Sequence, residues 1–217
     1  MKNSSSILVL VLGLGLALAF GGALAAQGLK IEFEGDTVGS SPKGFSFALT
    51  GQGKPGVWVI RKDDEAHGNV LVQTDADSTG YRFPVAVYND FSGADVGLAV
   101  NFKALAGKGD QGAGLVWRYR DANNYYVTRC NALEDNCTIY RVVNGKRQAF
   151  LNKGVKVASN TWHSLSVDAR GDHFVVTFDG KLVLDAKDGT FKDSGKVGVW
   201  TKADSVMAFD GLTIMGR

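Results

Sequence analysis

The segment with the most chemical potential is residues 114–137, GLVWRYRDANNYYVTRCNALEDNC, which contains both cysteines of the chain and its densest group of aromatic and arginine side chains. Apolar and polar positions alternate on either side of residues 121–124, whose Asp and Asn residues are typical of a turn. This pattern predicts a β-hairpin in which Arg120 faces Tyr125, Arg118 faces Val127 and Leu115 faces Cys130. Directly opposed residues share a face of the sheet.

The predicted hairpin has two faces of different chemistry. The inward face would carry Leu115, Trp117, Tyr119, Tyr126, Thr128 and Cys130. The outward face would carry Arg118, Arg120, Tyr125, Val127 and Arg129. A disulfide between Cys130 and Cys137 would extend the register to a third strand and place Tyr140 opposite Val127. In an exported protein, two cysteines at this spacing form a disulfide more often than they bind a metal ion or remain as reactive thiols.

The outward face is the candidate ligand-binding site, and its expected residues are Arg118, Tyr125, Arg129, Asn131 and Tyr140. Aromatic faces contact the C–H groups of a sugar, while guanidinium and amide groups form hydrogen bonds with its hydroxyls. The composition therefore favours a carbohydrate ligand. For Arg118 and Arg129 the alternative is a solvated face held by salt bridges.

Catalytic motifs are scarce. The three histidines are scattered, and neither H-E-x-x-H nor G-x-S-x-G occurs, which argues against zinc and serine hydrolases. Asp63-Asp64-Glu65 and Glu134-Asp135 are neighbours in predicted loops, where adjacent side chains point in opposite directions. If the protein is an enzyme, Asp121 or Glu134 is the candidate acid or base. The sequence leans towards a protein without catalysis.

Residues 1–25 have the features of a secretory signal peptide. Lys2 precedes an uninterrupted apolar run from Ile7 to Phe20, and Ala23-Leu24-Ala25 forms an A-x-A cleavage site. We therefore expect a secreted or periplasmic protein whose single domain covers residues 26–217. The chain has 24 Lys and Arg against 22 Asp and Glu, and this balance predicts no nucleic-acid partner and no membrane attachment after cleavage.

The rest of the chain reads as short β-rich runs separated by Gly, Pro, Asn and Asp, with one possible helical turn at residues 63–67. Asn144-Gly145 and Asp179-Gly180 are the strongest hairpin signals. No apolar stretch beyond residue 25 keeps a helical period. The pattern predicts an all-β fold of two packed antiparallel sheets, a sandwich or jelly roll.

With these strands placed, the chain resembles a family of secreted bacterial proteins with a concanavalin A-like jelly roll, described as family 16 glycoside hydrolase-like or 3-keto-disaccharide hydrolase-like. The resemblance rests on residues 68–73, 82–85, 113–136, 144–147 and 195–212. It implies two curved sheets with a concave face that binds sugars in related folds. The chain departs from that family in having Cys130 and Cys137, and in having one acid at Phe209-Asp210-Gly211 where the family usually has two. The E-x-D-x-E run of the related laminarinases is also absent.

These observations predict a secreted glycan-binding jelly roll that is non-catalytic or weakly catalytic. The alternatives are a glycoside hydrolase acting on an oligosaccharide or modified disaccharide, and a structural envelope protein that binds another protein. A structural calcium ion held by Glu34, Asp36 and Asp210 is a further expectation, because the first and last strands of jelly rolls often lie side by side and calcium prefers clustered carboxylates.

Overall fold

A computed structural model describes residues 28–64 and 66–217, which form fifteen β-strands. The expected signal peptide lies outside the described residues. Within the described ranges there is no helix, and none of the described segments is a helix that could span a membrane. Where a single helical turn was expected, near residues 63–67, the Asp64 carbonyl accepts hydrogen bonds from the amides of His67 at 3.3 Å and Gly68 at 2.9 Å.

All neighbouring strands are antiparallel, and they form two sheets. In chain order the strands are β1 Leu29–Ile31, β2 Phe45–Gly51, β3 Trp58–Lys62, β4 Asn69–Gln73, β5 Arg82–Gly93, β6 Val96–Ala106, β7 Gly112–Asp121, β8 Asn124–Asn131, β9 Asn136–Val143, β10 Lys146–Gly154, β11 Trp162–Arg170, β12 His173–Phe178, β13 Lys181–Lys187, β14 Gly195–Thr201 and β15 Val206–Gly216. The eight-stranded sheet has the order β13-β12-β11-β6-β15-β4-β3, with β1 beside β15. The seven-stranded sheet has the order β10-β9-β8-β7-β14-β5-β2. The predicted all-β jelly roll is confirmed.

The main core lies between the two sheets. Trp117 and Tyr126 from the seven-stranded sheet stack with ring centroids 5.4 Å apart, and Phe174 from the eight-stranded sheet meets the Trp117 ring edge-on at 5.2 Å. All three side chains are fully buried. Aromatic residues bury the largest apolar areas of any side chain, so this contact is a principal source of sheet-to-sheet adhesion.

Both predicted tight hairpins are present. Asn144-Gly145 joins β9 to β10, and Asp179-Gly180 joins β12 to β13. The φ angles are +49° and +75° in the first turn and +47° and +72° in the second. Positive φ at both central positions is the requirement that Asn-Gly and Asp-Gly satisfy at low cost.

Strand β10 does not follow from the sequence pattern. Its residues, KRQAFLNKG, lack the alternation of a half-buried strand, and a bulge between Ala149 and Leu151 shifts its register against β9. β10 is an edge strand with several exposed polar residues, which is how natural sheets prevent edge-to-edge association. The only sequence feature that indicates this strand is the Asn-Gly hairpin turn before it, because a hairpin requires a second strand after the turn.

The predicted hairpin register holds at the turn and changes beyond it. Asp121 pairs with Asn124 as expected, but Trp117 pairs with Tyr126, so three residues, 118–120, face Tyr125 alone. This irregularity is a bulge centred on Arg118, whose φ is +48°. The backbone of Arg118 approaches Gly195 so closely that a side chain at position 195 would collide with it.

The bulge reverses two face assignments. Tyr119, expected in the main core, packs instead beside Tyr125 on the opposite face, and Arg118, expected on the outward face, turns towards Phe174 and the loops at the end of the sandwich. Because the remaining pairs slip by two residues, the face assignments of Trp117, Tyr126 and Cys130 stay as predicted.

Candidate functional site

The face of the seven-stranded sheet that points away from the main core has its own apolar cluster. We call it the far face. Its buried apolar members are Phe83, Val85, Val87, Val116, Tyr125, Val127, Tyr140, Val142 and Trp200. β8 contributes to both faces by simple alternation, with Tyr125, Val127, Arg129 and Asn131 on the far face. Both sides of β8 are therefore buried.

Four of the five expected ligand-binding residues share the far face, but all four are buried, so the face is not the open surface that the sequence predicted. Tyr125 is fully buried, and its hydroxyl lies 2.7 Å from that of Thr50. Burial raises the pKa of the Tyr125 phenol well above its ordinary value. Tyr140 is 7% exposed and lies at the boundary between the apolar cluster and solvent. Tyr125 is therefore enclosed in the apolar cluster, and Tyr140 is the less deeply buried of the two tyrosines.

Arg118 is not part of this face. Its guanidinium is buried at the end of the sandwich and donates hydrogen bonds to the carbonyl oxygens of Ala94 at 2.7 Å, Phe191 at 2.5 Å and Gly171 at 2.6 Å. These carbonyls belong to three separate connecting segments. The prediction that Arg118 binds ligand does not fit this placement, because the bulge directs the side chain to a structural role.

A compact group of charged and amide side chains lies at one end of the far face. We call Asp110, Arg129, Asn131, Glu134 and Lys202 the polar cluster. Arg129 donates to Glu134 at 2.6 Å and to the Tyr140 hydroxyl at 3.0 Å. Lys202 contacts the carboxylates of both Glu134, at 3.2 Å, and Asp110. The Asn131 amide donates to Asp110.

Two interactions hold the loops that carry the polar cluster in place. Asp204 accepts hydrogen bonds from the amides of Lys108, Gly109 and Asp110, which orders the loop before β7. The predicted disulfide between Cys130 and Cys137 is present and closes the loop that carries Glu134. The sequence indicated the disulfide, Arg129, Asn131 and Glu134. It did not indicate Asp110 or Lys202 as site residues, because the Gly and Asp residues of the loops around them predict turns and no binding role.

The two acids of the polar cluster have different electrostatic environments. Burial raises the pKa of Asp110 above its ordinary value, although Lys202 acts in the opposite direction. For Glu134, partial burial also favours the neutral form, but the charges of Arg129 and Lys202 outweigh it and lower the pKa to about 2. Glu134 is therefore a carboxylate at neutral pH, able to accept hydrogen bonds from hydroxyl groups.

Arg147 of β10 lies over the aromatic part of the far face. The centre of its guanidinium is 4.3 Å from the Phe83 ring centroid, 4.4 Å from that of Tyr140 and 5.6 Å from that of Trp200. Burial lowers the pKa of Arg147 from its ordinary value. The sequence pattern did not select this residue because β10 itself was not predicted. Trp200, which lies beneath this guanidinium, is fully buried.

The two acids named as candidate catalysts are far apart. Asp121 is exposed in the β7–β8 turn, where it accepts the backbone amide of Asn123 at 2.7 Å. Glu134 follows the other end of β8, a strand length away, roughly 20 Å or more at strand rise. Glycosidase carboxylates are ~5 to 9.5 Å apart, so Asp121 and Glu134 do not form an acid–base pair.

The carboxylates expected to bind calcium do not converge. Glu34 accepts the amide of Asn69 at 3.1 Å, Asp36 lies 3.6 Å from the Lys43 ammonium, and Asp210 lies 2.9 Å from His67. Across residues 28–64 and 66–217, no group of three or more His, Cys, Asp or Glu side chains has the arrangement of a metal site. The expected adjacency of first and last strands is correct, since β1 pairs with β15, but each acid has a protein partner instead.

Comparisons with known proteins agree with the fold. No family model matches the chain. A segment of 130 residues, 58% of the chain, is 27% identical to levanase of Bacillus subtilis and corresponds to 19% of that protein. The solved structure of carbohydrate-binding module CBM66 from Bacillus subtilis is similar at a TM-score of 0.61 and 23% identity, covering 78% of this chain and 95% of that one.

A second similar structure is the exoplasmic domain of VIP36 with bound Ca²⁺ and mannose, at a TM-score of 0.61 and 10% identity, covering 89% of this chain and 91% of that chain. A GH43 protein from Bacillus licheniformis is similar at a TM-score of 0.59 and 15% identity, covering 87% of this chain and 39% of that one. At these identities the likeness establishes a jelly-roll fold. The family named from the sequence stays a prediction.

Proposed function

We propose that this protein is an exported carbohydrate-binding jelly roll, and that the polar cluster with Tyr140 forms its binding site. The observation that carries the proposal is the junction of these groups. Arg129 contacts Glu134 and Tyr140 at once, so carboxylate, guanidinium and aromatic ring meet at one end of the far face. Such a combination suits a sugar, which presents hydroxyls and C–H faces together.

The comparisons support the same proposal. CBM66 is described as a carbohydrate-binding module, the VIP36 structure contains mannose, and the levanase name points to levan as a first glycan to test. The Cys130–Cys137 disulfide supports export, because disulfides persist in oxidising compartments. The ion pairs within the polar cluster hold its side chains in place before a ligand arrives, which lowers the entropic cost of binding.

The test is calorimetric titration of the oxidised protein with levan and a panel of other oligosaccharides. Glu134→Gln removes a charged acceptor from the site, and a hydrogen bond to a charged group contributes ~1.5 to 3 kcal/mol, so we expect Kd to rise at least tenfold. The matched control is Glu32→Gln, which changes an exposed glutamate at the start of the eight-stranded sheet and should leave Kd unchanged. If the wild type binds no glycan, or both variants bind equally well, the proposed site is wrong.

One observation favours a glycoside hydrolase as a second candidate function. Asp110 and Glu134 contact the same Lys202 ammonium, which keeps their nearest oxygens within roughly 6 Å, close to the separation in retaining glycosidases. Their pKa values are also shifted in opposite directions. Product analysis on every glycan that binds distinguishes the candidates, because turnover abolished by Asp110→Asn would establish an enzyme. Binding of another protein without any glycan would instead favour an envelope structural role.

A further inference from the structure

Arg147 is a partly buried cation that has no anionic partner among the described residues. Among the residues that the structure describes, no carboxylate lies within 4 Å of its guanidinium, whereas Arg118, Arg129 and Arg141 all have one. Its neighbours are the rings of Phe83, Tyr140 and Trp200. Cation–π contacts stabilise a guanidinium, but they provide no hydrogen-bond acceptor for its N–H groups.

Two N–H groups facing the site lack acceptors within the described chain. They are Nη1 of Arg147 and Nε of Arg129, and both atoms are buried. A buried donor without a partner is destabilising, and more so when the group is charged. Both unsatisfied groups are donors. A ligand group placed against them would therefore have to accept hydrogen bonds.

The charge of the site points in the same direction. The polar cluster and Arg147 together comprise three cations, Arg129, Arg147 and Lys202, against the two acids Asp110 and Glu134. Both acids are already paired with Arg129 or Lys202. Arg147 supplies the uncompensated positive charge, and its planar fork suits a bidentate oxyanion.

We propose that the site recognises a glycan bearing an oxyanion, a carboxylate or a sulfate ester, and that Arg147 is the residue that selects it. This inference rests on the proposed function. The sugar ring lies against Tyr140 and the polar cluster, and its oxyanion accepts hydrogen bonds from the Arg147 guanidinium. A neutral glycan offers hydroxyl acceptors to the same donors but leaves the charge of Arg147 unpaired.

The test uses ligand pairs that differ only in charge. Uronic-acid oligosaccharides are compared with their methyl esters, and sulfated galactan oligosaccharides with their desulfated forms, by calorimetric titration of the oxidised protein. We expect the acidic member of at least one pair to bind at least tenfold more tightly, and the pair that responds identifies carboxylate or sulfate. This preference should decrease from 50 to 500 mM NaCl, because salt screens the interaction of charges.

Variants of Arg147 test whether this residue causes the preference for acidic over neutral glycans. In Arg147→Gln the ratio of neutral to acidic Kd should fall towards one, whereas Arg147→Lys, which keeps the charge without the fork, should retain part of it. The matched control, Arg61→Gln, changes an exposed arginine on β3 of the other sheet and should keep the wild-type ratio. Thermal unfolding of each variant checks that it is folded.

The outcomes separate the two proposals. Equal affinity of the wild type for acidic and neutral glycans overturns the oxyanion inference and leaves carbohydrate binding in place. A preference for acidic glycans that survives in folded Arg147→Gln overturns the assignment to Arg147. If no glycan binds in either charge state, the proposed function fails and the inference fails with it. Should Arg147→Gln be unfolded, the salt dependence of the wild type and the Arg147→Lys ratio still decide the result.

Discussion

At the residue scale, two side chains of the same type have different roles because their N–H groups donate to different acceptors. Arg118 and Arg129 are both buried arginines from one predicted face. Arg118 has three backbone carbonyls as acceptors, whereas Arg129 contacts an acid, an amide and a tyrosine. Arg118 therefore holds connecting segments together, whereas Arg129 joins the side chains of the proposed site.

This difference predicts that Arg118→Ala destabilises the protein without acting on the binding site directly. Truncation removes the donor from the carbonyls of Ala94, Phe191 and Gly171, and we expect the free energy of unfolding to fall by roughly 3 kcal/mol or more. The control is Arg120→Ala, whose ion pair with Asp193 is exposed and contributes at most ~1 kcal/mol.

Urea denaturation followed by tryptophan fluorescence measures both changes, and glycan titration under native conditions checks the site. Equal stability of Arg118→Ala and Arg120→Ala would contradict the structural role of Arg118. Lost glycan binding in a fully stable Arg118→Ala would return this arginine to the ligand site.

At the element scale, two connections decide what the far face displays. The β8–β9 connection carries Glu134 and is closed by the disulfide, while the β9–β10 turn at Asn144-Gly145 brings Arg147 over the aromatic cluster. A methyl group added to Gly145 would lie 2.9 Å from the Asn123 side chain, and φ there is +75°. The conformation of this turn therefore determines the position of the Arg147 side chain over the aromatic cluster.

The disulfide prediction belongs to this scale. Replacing both Cys130 and Cys137 with Ala should lower the free energy of unfolding by about 2.5 kcal/mol, the low end of the usual range, because the closed loop is short. We also expect weaker glycan binding, because the connection that carries Glu134 loses its covalent closure. Urea denaturation of the double variant and of the reduced wild type provides the comparison. A double variant as stable as the oxidised wild type would refute the prediction.

At the scale of the whole molecule, one main core joins two sheets, and a second apolar cluster fills the far face. β7, β8 and β14 lie between these two clusters and have apolar residues on both sides. Most of β7 and β8 is therefore buried on both faces, although their sequences alternate between apolar and polar residues. The part of the seven-stranded sheet between the two clusters is therefore buried on both sides.

The signal sequence predicts the form in which this molecule is exported. Expressed in full with an export pathway, the protein should be recovered with Ala26 as its first residue and with no free thiol, since exported cysteines oxidise. Intact mass with and without thiol alkylation measures both. Replacing Ala23 and Ala25 with Lys should block processing and is the control. A full-length mass in the exported wild type would contradict the predicted cleavage.

The sequence by itself determined the features that depend on local chemistry. Period-2 alternation predicted the strands around Trp117 and Tyr126, and Asn-Gly and Asp-Gly predicted two hairpins, because positive φ favours those residues. The spacing of the cysteines and the strand pattern placed Cys130 opposite Cys137.

Only the tertiary structure decided the features that depend on long-range contacts. The bulge at Arg118 arises where β7 meets Gly195 of β14, 77 positions along the chain, and no local pattern encodes that contact. The site needs Asp110, Glu134, Arg147 and Lys202 together, although they come from four separate segments. The sequence around each of these four residues predicts only a turn or an edge strand. Successive hairpins place β7, β8, β9 and β10 side by side, but β14 joins this sheet beside β7 from a distant part of the chain and brings Lys202 to the site.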